Sequence, residues 1–326
     1  MTITLEGGIT FFGITLSPPP PPPENTAAWF GGGQYPYTST VDRITFATDT
    51  ATATTRGPLS LTRTELAAAG NFTDGWFGGG YNNNPGFTNP LIFSTVDRIT
   101  YATDTATASV RGPLSQVVYR QGAAGNSTNG WFGGGGASPG PVTSVPPLST
   151  VLRITYATDT ATASVRGPLS LARQVLAAVG NSDYGWFGGG MEVTTAVVST
   201  VDRITYATDT ATASVRGPLS AAKYKLAAVG NSDYGWFGGG KQPTVSTVQR
   251  ITYATDTATA SVRGPLSAGR YQFAAAGNTT DGWFGGGRGT TSLVDRITYA
   301  TDTATASVRG PLSAGRYLLA AAGGVQ

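Results

Sequence analysis

The sequence predicts an all-β fold, a six-bladed propeller, and three observations carry that expectation. A unit reading WFGGG, a variable insert, STVDRITYATDTATASVRGPLS and then LAAVGN recurs along the chain, with tryptophans at Trp29, Trp76, Trp131, Trp186, Trp236 and Trp283. Successive spacings of 47, 55, 55, 50 and 47 residues fall in the range of propeller blades, which need one another to bury their faces. The composition of the 326 residues is rich in strand and turn formers: 40% hydrophobic, 46 glycines and only 12% charged. Finally, the first unit opens on its tryptophan strand, while the chain ends on an unmatched inner strand, Tyr317–Ala322. Pairing that last strand with the first tryptophan strand closes a ring of six with nothing left over.

Four strands are expected in each unit. The innermost is the Leu-Ala-Ala-Ala stretch (Glu65–Ala69, Val175–Val179, Lys225–Val229, Gln272–Ala276, Leu318–Ala322), whose small residues suit the crowding near an axis. The second is Gly-Trp-Phe-Gly-Gly-Gly, where a Cβ would block close approaches. The third is of the VDRITYAT type, with Ile99 and Tyr101 on one face and Arg98 and Thr100 on the other. The outermost is Thr-rich TATASVR. The TDTA stretch with Asp49, Asp104, Asp159, Asp209, Asp256 and Asp302 reads as the turn between the last two strands, and Asn181 and its equivalents begin the turn after the inner strand.

Residues 1–17 and 18–26 lie outside the repeat, which occupies 27–326. Ile3, Leu5, Ile9, Phe11 and Phe12 give a broken alternation around Gly7-Gly8, consistent with one or two short strands. The prolines Pro18–Pro23 then favour a stiff polyproline II rod, on the order of 20 Å long at about 3.1 Å per residue. A strand packed on the propeller flank is one reading. An anchoring segment held off the body by a spacer is the other, and the rod favours it.

These residues carry a resemblance. Trp186-Phe187-Gly188-Gly189 resembles the diglycine strand of kelch repeats. Tyr206 followed by Asp209 and Thr210 is similar to the kelch Tyr-Asp-x-x-Thr region, and Arg63, Arg173, Arg270 and Arg316 stand where the kelch arginine precedes its inner strand. The fourth strand departs from that pattern, with Ala or Thr where kelch repeats place a Trp. The phrase DRITYATDTATASVRGPLS is also similar to kelch-like repeats in virion structural and tail-associated proteins of tailed phages of marine bacteria, cyanobacteria especially. That resemblance implies a virion surface or tail location, a tail-fibre or host-attachment role, and other virion proteins as partners of the N-terminal arm.

Several chemistries are excluded by composition. With no histidine and no cysteine, the chain has no Ser-His-Asp or Cys-His machinery, no disulfide and no His- or Cys-ligated metal site. The copper chemistry of galactose oxidase, another kelch propeller, therefore has no residue to rest on. Most acids recur in blade after blade and so serve the blade, while Glu65, Asp74, Asp183, Glu192 and Asp233 form no obvious catalytic pair. No enzyme activity and no cofactor are expected. The third-strand arginines Arg43, Arg98, Arg153, Arg203, Arg250 and Arg296 read better as pairings between neighbouring blades than as an anion-binding ring. The net charge of +3 has no basic run behind it, which argues against nucleic acid, and no stretch approaches a membrane helix. The N-terminus lacks a basic n-region, so no signal peptide is read there.

The copies differ most between the tryptophan strand and the third strand. The inserts are Gln34–Thr38, Tyr81–Phe93, Gly136–Leu148, Met191–Val198, Lys241–Val245 and Arg288–Thr291, with lengths of 5, 13, 13, 8, 5 and 4 residues. They emerge on one face, and the deviant stretch Gln116–Ala123 lies between the two longest. Tyr81, Asn82, Phe87, Phe93, Tyr119 and Arg120 are accordingly the candidate binding residues, suited to stacking on sugars or packing on protein. The expected function is non-enzymatic display on a virion, tethered by the arm. The loop face would meet a host glycan, a host protein or another subunit, a second copy of the chain included. A secreted bacterial adhesin or lectin is the alternative.

Overall fold

A computed structural model describes residues 26–83, 91–137, 145–193, 196–288 and 292–323, together with the main chain of 3–4 and 10–11. Six four-stranded antiparallel sheets form a closed propeller. Blade II shows the pattern: inner strand Ala67–Gly70, then Asp74–Gly78, Val96–Thr100 and outer strand Ser109–Arg111. Blades III to VI start at Gly122, Ala177, Ala227 and Ala274 and repeat it. Blade I is assembled from both ends of the repeat region. Ala27–Gly31, Val41–Thr45 and Thr54–Arg56 take as inner strand Ala320–Ala322, in the register Ala320↔Gly31, Ala321↔Phe30 and Ala322↔Trp29.

Three element boundaries differ from the sequence reading. The third strand ends before the aromatic, and Tyr101 opens a one-turn 3-10 helix, Tyr101–Thr103, as its equivalents do in every blade. The outer strand is only three residues, Ser-Val-Arg in five blades and Thr-Thr-Arg in blade I, because the stretch before it runs through that turn. The inner strand begins two residues later than expected, at Ala67 rather than Glu65, because Glu65 is left-handed.

The 3-10 turn explains the first shift, because it hands the aromatic and the aspartate to the preceding blade. Each tryptophan stacks on the next blade's aromatic (Trp29 on Tyr101, and so on round to Trp283 on Phe46), with centroids 3.7–4.0 Å apart and planes within 10°. Such pairs contribute about 0.5–1.5 kcal/mol beyond the area they bury. The same indole donates to the next blade's turn aspartate, Trp29 to Asp104 at 2.8 Å and Trp283 to Asp49 at 2.9 Å. That carboxylate also meets the third-strand arginine at 2.9–3.1 Å, Arg43 on Asp104 being typical. The arginines are thus interblade latches, as their spacing suggested. The glycine of RGPLS completes the seam. Gly57 N donates to Asp104 O at 2.8 Å, and a Cβ there would overlap the carbonyl of Ala106.

A short ladder pairs Ile3 with Phe11 and Thr4 with Thr10, so two short strands form in this segment. Leu5, Ile9, Phe12 and the proline run lie outside the described residues.

Candidate ligand-binding site

The axis opens at two ends with different chemistry. One end is lined by Ala-Ala-Gly or Ala-Val-Gly triplets such as Ala68–Gly70. The other, on the face of the variable inserts, is a cavity of about 120 Å³ whose innermost lining is Glu65, Arg120, Val175, Lys225, Gln272 and Leu318. These six hold the same place in six blades, and all lie in the left-handed region with φ between 54 and 61°. Only glycine adopts that conformation freely, and for a β-branched residue such as Val175 it is an outlier.

A closed ring of hydrogen bonds maintains it. Arg120 N donates to Glu65 O, Val175 N to Arg120 O, Lys225 N to Val175 O, Gln272 N to Lys225 O, Leu318 N to Gln272 O and Glu65 N to Leu318 O, all at 2.8–2.9 Å. Each left-handed residue turns its amide to the preceding blade and its side chain into the mouth. The strain, on the order of 1 kcal/mol or more per residue, is set against a backbone amide satisfied within the ring.

A second tier surrounds the first. Residues following the triple glycine bridge to residues preceding the left-handed position: Tyr81 to Thr64, Gly136 to Tyr119, Met191 to Gln174, Lys241 to Tyr224, Arg288 to Tyr271 and Gln34 to Tyr317. The glycines permit this approach. Gly32 and Gly33 have φ of 69 and 112°, and a Cβ on Gly32 would sit 2.6 Å from the carbonyl oxygen of Arg63. Below this tier, buried arginines brace the turns. Arg63 donates to Gly79 O and Thr95 O at 2.7 Å and to Asp97 at 2.7 Å.

The fold matches a solved one. The chain is similar to a structure reported as YjhT, with a TM-score of 0.66 and 12% identity over 89% of this chain and 94% of that one. At that identity the likeness is one of fold. No family model and no curated protein matches the sequence.

The mouth has two electrostatic halves. On the blade II–III side, Glu65 accepts from Arg120 Nε at 2.9 Å. Burial raises the Glu65 carboxyl above its ordinary range, while Arg120 and Lys225 pull it back. Burial alone would lower Arg120, but Glu65 together with Tyr119 and Tyr81 holds it above its usual value. Tyr81 stacks on Tyr119 at 5.4 Å and Arg120 lies over Tyr119 at 4.7 Å. Burial also raises the Tyr37, Tyr81 and Tyr119 hydroxyls, with Glu65 adding to each.

On the blade V–VI side stand cations without carboxylates. Lys225 Nζ lies 5.4 Å from the Tyr224 ring and 5.9 Å from Tyr271, Lys241 Nζ lies 5.4 Å from Tyr271, and the Arg288 guanidinium lies 5.6 Å from Tyr317. Burial lowers the Lys225 ammonium, and Arg120, Lys241 and Arg288 lower it further against the pull of Glu65.

Of the candidate residues read from sequence, Tyr81, Tyr119 and Arg120 therefore meet at this mouth. Asn82 does not line it. It is buried and donates to Thr62 O and Oγ1 at 2.9 Å, which ties the insert to the neighbouring loop. Phe93 is half-buried, and its main chain bonds Gly80 and Val118. Phe87 lies outside the described residues. Part of the deviant stretch Gln116–Ala123 has a packing cause instead: Val118 and Leu152 are both buried where four other blades place an arginine and an aspartate. Sequence reasoning missed Lys225, Lys241, Arg288, Gln272, Tyr224, Tyr271 and Tyr317. The available signal was that Lys225, Lys241 and Arg288 stand outside the recurring Arg positions of the repeat.

Proposed function

We propose that this chain is a non-enzymatic binding and display module. Its loop face, centred on the axial mouth, takes the ligand, and residues 1–17 tether the propeller to a particle. One observation carries the reading. A repeat whose strands are nearly identical places an acid, two cations, an amide and two aliphatics, Glu65, Arg120, Lys225, Gln272, Val175 and Leu318, at the one equivalent position that lines the axis at this end. Structural repetition has no use for such divergence, whereas recognition of an asymmetric ligand does. The absence of an enzyme role is supported by the mouth's chemistry, where the only carboxylate lining the inner tier is ion-paired with Arg120.

The particle assignment rests on the resemblance of the repeat to those of phage virion proteins and on the arm with its spacer. An antibody to the propeller, applied to purified particles from a lysate, tests it. Surface labelling of particles is expected. Particles without label, with the chain recovered only in free form, would overturn the assignment and favour the adhesin reading.

A further inference from the structure

The lysines and arginines number 21, and among the described residues all are paired with carboxylates except Lys223, Lys225, Lys241 and Arg288. Lys223 bonds the carbonyl of Gln242 at 2.9 Å. The remaining three share one half of the mouth, and among the described residues no carboxylate bridges any of them. Glu65 is committed to Arg120, and Glu192, also on this face, acts on Arg173. A protein that neutralises its cations so consistently has left three like charges together, which is unfavourable unless an anion joins them.

The geometry points to an anionic saccharide, a uronic-acid unit or its oligomer, seated with its carboxylate among Lys225, Lys241 and Arg288 and its ring on Tyr271 and Tyr317. A pyranose carboxylate lies at the edge of an apolar C–H face, so one sugar presents charge and stacking surface a few ångströms apart. The site repeats that pairing, since both lysines address the Tyr271 ring and Arg288 addresses Tyr317. Two of the three cations are lysines, compact point charges on flexible stems that can converge on an anionic group held at the edge of a rigid ring. Gln272 Oε1 is buried beside them without a hydrogen-bond partner, available to a sugar hydroxyl.

This inference rests on the loop face being the binding face, and its test separates the two. The full chain is titrated calorimetrically with oligogalacturonate, with its methyl ester as a neutral isostere and with poly-glutamate. Oligogalacturonate should bind and weaken with added salt, the methyl ester should bind at least tenfold more weakly, and K225Q or K241Q should each lose tenfold or more without any fall in melting temperature. Glu65→Gln should tighten binding severalfold, because it removes the one competing carboxylate. Equal affinity for the ester, no binding of oligogalacturonate, or charge variants that bind like the parent would each overturn the inference. Stronger binding of poly-glutamate would assign the site to an acidic peptide and overturn the saccharide. A chain that labels particles and still binds cells yet ignores oligogalacturonate leaves the display reading standing; a chain that binds neither cells nor oligogalacturonate removes both.

Discussion

Arg63 and Asp97 meet inside blade II with neither side chain reaching solvent, Nη2 lying 2.7 Å from Oδ2. Blades I, IV and VI repeat the pair as Arg316–Asp42, Arg173–Asp202 and Arg270–Asp295. Blade III replaces both members with buried apolar residues, Val118 and Leu152, and blade V replaces both with Lys223 and Gln249. In none of the six blades is the buried carboxylate kept without its arginine, and the lysine of blade V turns instead to the Gln242 carbonyl at 2.9 Å. Arg63→Val alone should cost about 3–5 kcal/mol by stranding a buried carboxylate, whereas the double change with Asp97→Leu should recover most of that loss. Urea denaturation of the two singles and the double measures the coupling; additive effects would refute it.

The closing seam should be as strong as the other five. Asp49 joins blade I to blade VI by accepting from Trp283 and Arg296 and lying 3.3 Å from Arg309. Deleting residues 314–326 removes the inner strand of blade I and exposes the Trp29 strand as an open edge. Insolubility or a large fall in melting temperature is expected. A truncated chain that melts with the parent would contradict the closure.

Lys225 makes stability depend on pH with a definite sign. Burial, then Arg120, Lys241 and Arg288, lower its folded pKa, with Glu65 opposing and the Tyr224 and Tyr271 rings beside it. Between the folded and unfolded values the unfolded chain binds more protons, so this group's contribution to stability rises with pH. The penalty of the buried ammonium is complete below the folded pKa and relieved as pH climbs towards the ordinary lysine value. Lys225→Met should therefore be stabilised relative to the parent at pH 7, and that advantage should shrink by pH 9.5. A difference that stays constant in denaturation at both pH values would remove Lys225 as its source.

The arm makes a separate prediction. A chain starting at Glu24 retains every strand of the six blades and should melt like the parent, because the paired residues Ile3–Thr4 and Thr10–Phe11 bond only each other in the described structure. Association with particles should be lost, as read by co-sedimentation. Unfolding, or normal co-sedimentation, would show that the arm belongs to the fold or is dispensable.

Half of the mouth was legible before any coordinates. Tyr81, Tyr119 and Arg120 stood out because they lie in or beside the longest inserts. Lys225, Lys241 and Arg288 did not, since blades V and VI carry short inserts and look regular. Asn82 misled for the opposite reason: it sits in a long insert, but its amide serves to hold that insert down. The pairing of Arg63 with Asp97 went unread, although the sequence carries a signal for it: the blades that lack that arginine also lack that aspartate.

By itself the sequence determined the number of blades, their order and the end-to-end closure, because those follow from a period and from a count of strands. It also placed the latching arginines, since a charge recurring at every blade must have a recurring partner. The tertiary structure alone decided what the axis presents. Six residues spaced about fifty apart become neighbours only when the ring closes, and each turns inward only because its amide must reach the preceding blade. That hydrogen-bond ring imposes a left-handed backbone on residues such as Val175 and Lys225, which no local preference of theirs would select. Sequence periodicity cannot report a conformation that is stable only through the five other copies.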